Sequence, residues 1–276
     1  MTAPDVAAPD DPRAALVAGL VCDTALLSAA DAELAPALTA LREGRDSRRA
    51  DLTGPLVVAA DAAAALLEAV GPEDDVAVVL ASVGPGAGLA SVTNARDVLL
   101  DQPWLRPVGA WLDLVPQHLA AAASLTLDAL DLTVPCTLFV PDHAAGHEHP
   151  GESEVLAALD VLAEDGAEQA GWHLGDDDRA LGTVAAFLVA CHERRLHTVV
   201  TADAARLPGL LAGSACAVAG GDASDVAAAL RRDRVPEVDA ATATATRHLL
   251  TQVGVREAAA AIDALLAQLA APPTAD

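Results

Sequence analysis

GPLVVAADAAAALLEAVGPEDDVAVVLASVG, residues 54–84, reads as strand, helix and strand in turn. Pro55 restricts the backbone at the entry, and residues 56–60 form a short apolar run suited to a buried strand. Asp61 offers a cap for a helix over residues 62–70. Residues 76–83 are apolar without alternation and are bounded by charge and glycine, the pattern of a parallel strand covered on both faces. A strand–helix–strand unit with two such strands points to helices packed on a parallel sheet.

Outward from this unit the same order recurs. Further strands are expected at 105–115, around VGAWLDLV, at 134–140 (VPCTLFV), at 169–174, at 196–203 (LHTVVTAD) and at 216–222 (CAVAGGD). The apolar stretch 14–21 opens the fold. Helices are expected at 25–43, 93–100, 117–130, 154–164, 180–195, 204–212, 223–232, 239–252 and 255–270. The segment 180–195 is the clearest of these, because Leu181, Val184, Phe187, Leu188 and Cys191 make one face. Seven or eight strands alternating with helices fit a closed (β/α)8 TIM-like barrel, with an open doubly wound parallel sheet as the alternative. Residues 1–12 read as a disordered segment, 13–270 as a single α/β domain, and 271–276 as a frayed tail.

The 276 residues are 53% hydrophobic, enough for a substantial core, yet they include only two Phe, three Trp and no Tyr. Packing therefore rests on Ala, Val and Leu. The formal charge is -24, and all 16 basic residues are Arg. So negative a field opposes binding to nucleic acid or anionic lipid. Without lysine, the chain cannot form a lysine Schiff base or supply a P-loop lysine. Cys22, Cys136, Cys191 and Cys216 are scattered through apolar runs with no CxxC, as buried thiols in a reducing compartment would be. Neither a leader peptide nor a membrane span is read, so a cytoplasmic location is expected. The partner classes this leaves are a small molecule or a protein, with self-association into a homo-oligomer open.

Two segments, LVVAADAAAALLEAV (56–70) and GTVAAFLVACHERRLHTVVTA (182–202), resemble strand–helix and helix–strand units of uncharacterised barrel-like α/β proteins from high-GC bacteria. The resemblance implies a barrel and brings no activity with it. In those proteins the late strand carries a basic residue and the next loop a histidine pair. Here HTVVTADAARLPG has His197 before the strand, and Asp203 and Arg206 after it. QAGWHLGDDD stands where those proteins have a basic, glycine-rich loop, and offers His173 with three acids.

Several polar sets follow predicted strands, where parallel α/β folds bind ligands. Asp142, His143, His147, Glu148 and His149 are one, with His143, His147 and His149 as the ligands of a divalent metal such as Zn²⁺ or Mn²⁺. A solvated loop reads the same residues without a metal. His173 beside Asp176, Asp177 and Asp178 suits general-base work, and the same acids equally suit the start of a helix. Asp113 sits inside an apolar run, so its carboxylate must face water or find a partner. Asp203 is a proton carrier or a helix cap. Arg206 can clamp an anion, and Thr201 can line the same pocket. Gly220 and Gly221 suit either an anion cradle or a tight turn before Asp222. Two functions fit this set. One is a small-molecule enzyme of lyase-like or hydrolytic acid–base chemistry, using His143, His173, Asp113 and Asp203 with Arg206 on the substrate. The other is a non-catalytic acidic binding or scaffold protein.

Overall fold

Eight strands pair in parallel, each with its neighbour in sequence, and the last pairs with the first to close a barrel. The computed structural model describes residues 11–27, 34–45, 47–82, 88–114, 134–140, 152–164, 166–174 and 181–271. The strands are β1 (Val21–Leu26), β2 (Thr53–Ala59), β3 (Val76–Ser82), β4 (Leu105–Asp113), β5 (Cys136–Val140), β6 (Gln169–His173), β7 (His197–Thr201) and β8 (Leu250–Val255). Around them lie α1 (Pro12–Val17), α2 (Leu34–Arg45), α3 (Ala63–Ala69), α4 (Leu89–Leu100), α5 (Glu152–Glu164), α6 (Leu181–Arg194), α7 (Leu207–Val218), α8 (Ala223–Ala229), α9 (Ala240–Leu249) and α10 (Ala258–Ala270). The closed barrel replaces the open doubly wound alternative. No helix among the described residues is long and apolar enough to cross a membrane.

The apolar runs lack alternation because both faces of every strand are covered. Leu56, Val58, Val78, Leu80, Leu138 and Val200 face the helices. Val57, Val79, Ala81, Trp111, Phe139 and Val199 pack with Cys22 in a second, smaller cluster that fills the lumen. Small aliphatic side chains leave room there for two large rings, and Trp111 meets Phe139 with centroids 5.2 Å apart, tilted by 54°. Tilted rings bring a positive edge toward a negative face.

Four expectations change. The stretch 14–21 is divided, with α1 capped by the Asp11 carboxylate and β1 beginning at Val21. The predicted helix 25–43 begins at Leu34, since Asp23 to Leu26 belong to β1. The run 216–222 is not a strand; residues 207–218 form α7, ten of whose residues are buried. A helix buried along most of its length has the same featureless apolar sequence as a buried strand. The eighth strand lies instead at 250–255, where a longer helix was expected, and it follows α9 with no intervening loop. The helix expected at 117–130 lies outside the described residues.

Closure is fastened at the end of the barrel where the strands begin. Val21 and Cys22 pair with Val253 and Gly254. Arg247, in the last turn of α9, donates to the carbonyls of Ala18 (3.1 Å), Thr251 (2.9 Å) and Leu250. Burial pulls the pKa of this guanidinium down, and its carbonyl partners stand in for lost water.

At the same end, Arg42 of α2 grips Asp74, which precedes β3, through Nε (2.7 Å) and Nη2 (2.8 Å). Gly71 N–H donates to the same carboxylate at 2.9 Å. The Arg42 hydrogen bonds hold the Asp74 pKa down at about 2. Because the folded pKa lies below the unfolded value of about 3.9, the pair stabilises the fold above that value. The contribution is lost as pH falls through about 2. Asp74→Asn is expected to lower stability at neutral pH and to flatten its pH dependence between about 4 and 2, as read by urea unfolding across that range.

Candidate functional site at the carboxyl ends of the strands

Asp113, His173 and Thr201 are the last residues of β4, β6 and β7. Their strands all run the same way, so the three side chains gather at one mouth of the barrel. His173 and Thr201 are register partners on adjacent strands. Asp113 stands across β5 from them, in register with Phe139, which is in turn paired with Gly171.

His173 Nε2 lies 2.9 Å from Asp113 Oδ1, and its Nδ1 lies 2.7 Å from Thr201 Oγ1. A carboxylate only accepts, so Nε2 carries the proton and donates to Asp113. In the neutral imidazole Nδ1 then presents its lone pair, and the Thr201 hydroxyl donates to it. The His173 and Asp113 side chains are 27% and 20% exposed, buried enough to be held and open enough to be reached.

The ring of Phe139 forms the floor of this set. It stacks on His173 at 4.3 Å between centroids and 17° between planes. The stack depends on Gly171, because a Cβ there would come within 2.6 Å of Phe139 Cγ. Gly171 therefore lets the Phe139 ring lie against β6 directly below the imidazole. Neither residue was singled out from the sequence. The signal was the glycine inside an apolar strand, QAGWH, which marks a close approach by another group.

The other expected residues are distributed differently. Asp203 and Arg206 bound the short turn after β7, at the same end of the barrel; Asp203 is exposed and Arg206 is half-buried. Gly220 and Gly221 do not follow a strand. They join α7 to α8, with Gly220 at φ +87° and Gly221 N–H on the Cys216 carbonyl at 2.9 Å. Asp222 then caps α8 by accepting from Ser224 N–H (2.8 Å) and Asp225 N–H (3.0 Å). Chain reversal and capping account for this segment. His143, His147 and His149, with Asp142, Glu148 and the acids at 176–178, lie outside the described residues. Among the described residues, no three His, Cys, Asp or Glu side chains are grouped to hold a metal.

A cleft of about 200 Å³ opens at the opposite end, where β2, β3 and β4 begin. Leu41, Thr53, Gly54, Arg45, Asp75 and Arg106 line it. Its arginines are engaged locally: Arg106 Nε donates to Asp75 at 2.9 Å, and Arg45 donates to the Glu73 and Asp75 carbonyls. In such barrels, chemistry gathers at the carboxyl ends of the strands and the amino ends serve stability, so the mouth holding His173 is the candidate site.

No family model matches the chain, and neither does any curated protein.

Gly171→Ala is expected to push Phe139 off the imidazole and to cost about 1–3 kcal/mol. At roughly 2–4 °C per kcal/mol for a domain of this size, calorimetry reads this directly. Imidazole NMR should show the His173 resonances shifted from their wild-type positions.

Proposed function

We propose that this protein is an enzyme of acid–base chemistry on a small molecule, working at the mouth where Asp113, His173 and Thr201 meet. The observation that carries this reading is the continuous hydrogen-bonded line from Asp113 through His173 to Thr201. An imidazole is the side chain suited to accept and return a proton near neutral pH. Asp113 holds the ring in one tautomer and stabilises the cation formed when Nδ1 takes a proton. Phe139 fixes the ring plane from below. Arg206, on the turn beyond β7, suits an anionic group of the substrate through its planar fork of donors. The reaction class is hydrolytic, or an elimination that needs the same proton transfer.

The acidic composition bears on the substrate as well. A protein of charge -24 raises the local concentration of neutral or cationic molecules over anions. That favours a substrate with no more than one negative group, for Arg206 to hold.

The test is turnover of a panel of small esters, lactones, amides and hydroxy acids by the full chain. His173→Gln is expected to lower turnover by about 10²–10⁴-fold, the range for a positioned acid–base group. Asp113→Asn should lower it too, because the amide can leave the proton on the other ring nitrogen. Wild-type turnover in both variants, or none across the panel with wild-type protein, would overturn the reading.

A further inference from the structure

We infer that Thr201 is the site's nucleophile, and that the substrate is an ester or other activated acyl compound whose acyl group passes through Thr201 Oγ1. This rests on the reading of His173 as the base, and carries it to a reaction and a substrate class.

The first argument is occupancy. A base acting directly on substrate must bring a ring nitrogen within about 2.6–3.2 Å of the proton it takes. Both nitrogens of His173 are engaged, Nε2 by Asp113 and Nδ1 by Thr201, at 2.9 and 2.7 Å. The atom that His173 is placed to deprotonate is therefore Thr201 Oγ1. A hydroxyl is a weak nucleophile by itself, and an adjacent base held by a third group is what activates it.

The second argument is the Thr201 methyl. A Cβ built on Gly254 would lie 3.1 Å from Thr201 Cγ2, 2.6 Å from Thr24 Cγ2 and 3.0 Å from Trp111 Cη2. Gly254 is the register partner of Thr201 on β8. The missing side chain leaves a slot beside β8, next to which the Thr201 methyl is seated, with Thr24 and Trp111 at the same slot. A β-branched side chain so confined has little χ1 freedom. With Cγ2 fixed toward β8, Oγ1 is directed toward His173 on β6. Thr201 also ends its strand at the barrel mouth and is half-buried, so an acyl group can approach from solvent.

In the first step, the Oγ1–C bond forms to the acyl carbon as the hydroxyl proton passes to His173 Nδ1. The bond from that carbon to the leaving oxygen then breaks, and the proton on Nδ1 goes to the departing group. In the second step, water attacks the acyl carbon and gives its proton to Nδ1. The Oγ1–C bond breaks, Oγ1 recovers the proton, and a carboxylic acid is released. No redox partner is needed.

The probe is p-nitrophenyl acetate with the full-length protein, followed by p-nitrophenolate release, intact mass and peptide mapping. The chain suits this experiment because it contains no lysine and no tyrosine. The competing thiols are suppressed: burial pushes Cys22 and Cys136 up to about 12 and raises Cys191 further. Burial also raises Cys216. The expected result is an initial burst and one acetyl group on Thr201. The adduct should be absent in Thr201→Val, which keeps the shape without the hydroxyl. It should be present in Thr201→Ser, but formed more slowly because the confined methyl is gone. In His173→Gln, acetylation should slow by about 10²-fold or more. Circular dichroism and Tm of each variant confirm folding. An unmodified Thr201 in the wild-type protein would overturn the proposal, as would Thr201→Val with wild-type esterase activity. If esterase activity still required His173 in either case, the acid–base reading would stand while the nucleophile failed. Esterase activity indifferent to His173 would remove both.

Discussion

Pairing between β8 and β1 is the constraint on which the rest of the molecule depends. With Val21 and Cys22 against Val253 and Gly254, the sheet has no edge. Without that pairing, two strands would expose unpaired backbone groups, and the lumen would be an open face. Closure encloses the cluster of Cys22, Val57, Val79, Ala81, Trp111, Phe139 and Val199, and it brings Thr24 of β1 to the Gly254 slot beside which Thr201 sits. The packing and the candidate site therefore share one cause. Arg247 supports the closure from the amino side by joining the carbonyls that flank it.

The lumen of an eight-stranded barrel has room for side chains and little else. This chain fills it unevenly, with small residues from β1 to β3 and β7 and two large rings from β4 and β5. Phe139 can be large because Gly171 opposite it has no side chain. The same ring that fills the lumen is the surface on which the imidazole of His173 rests. The glycine, the phenyl ring and the histidine are thus one packing unit. A change made to fill space in the barrel would also move the proton-carrying group. The cleft at the opposite end is lined by Arg45, Arg106 and Asp75, which are engaged through local contacts.

The alternation of apolar runs and helices was legible, because strands buried on both faces leave long aliphatic stretches bounded by turn residues. Six strands, β2 to β7, stand close to where the sequence places them. The two that differ, β1 and β8, merge in sequence with apolar stretches that also form helices, and nothing such as Gly or Pro separates Leu249 from Leu250. For α7, burial of ten of its twelve residues erased the helical period. At the candidate site, Asp113 was legible as a charge inside an apolar run, and His173 as a polar residue at a strand end. Their pairing was not, since it spans 60 residues and depends on which strands become neighbours. Phe139 and Gly171 carry no polar atom in their side chains, so a search for chemistry passes over them. Gly220 and Gly221 were legible only as a local turn, and the interpretation of that turn depended on the misread strand before it.

Because the first strand finds its final partner only in Leu250–Val255, the barrel cannot form progressively from a growing chain. A ribosome making about 5–20 residues per second would release β1 to β7 well before β8 emerged. Through that interval β1 and β7 would be bare sheet edges, and the aliphatic lumen would face water. Such edges recruit other strands readily. Nascent copies would need shelter until the last strand arrives, and the dense negative charge, by keeping neighbouring copies apart, supplies part of it.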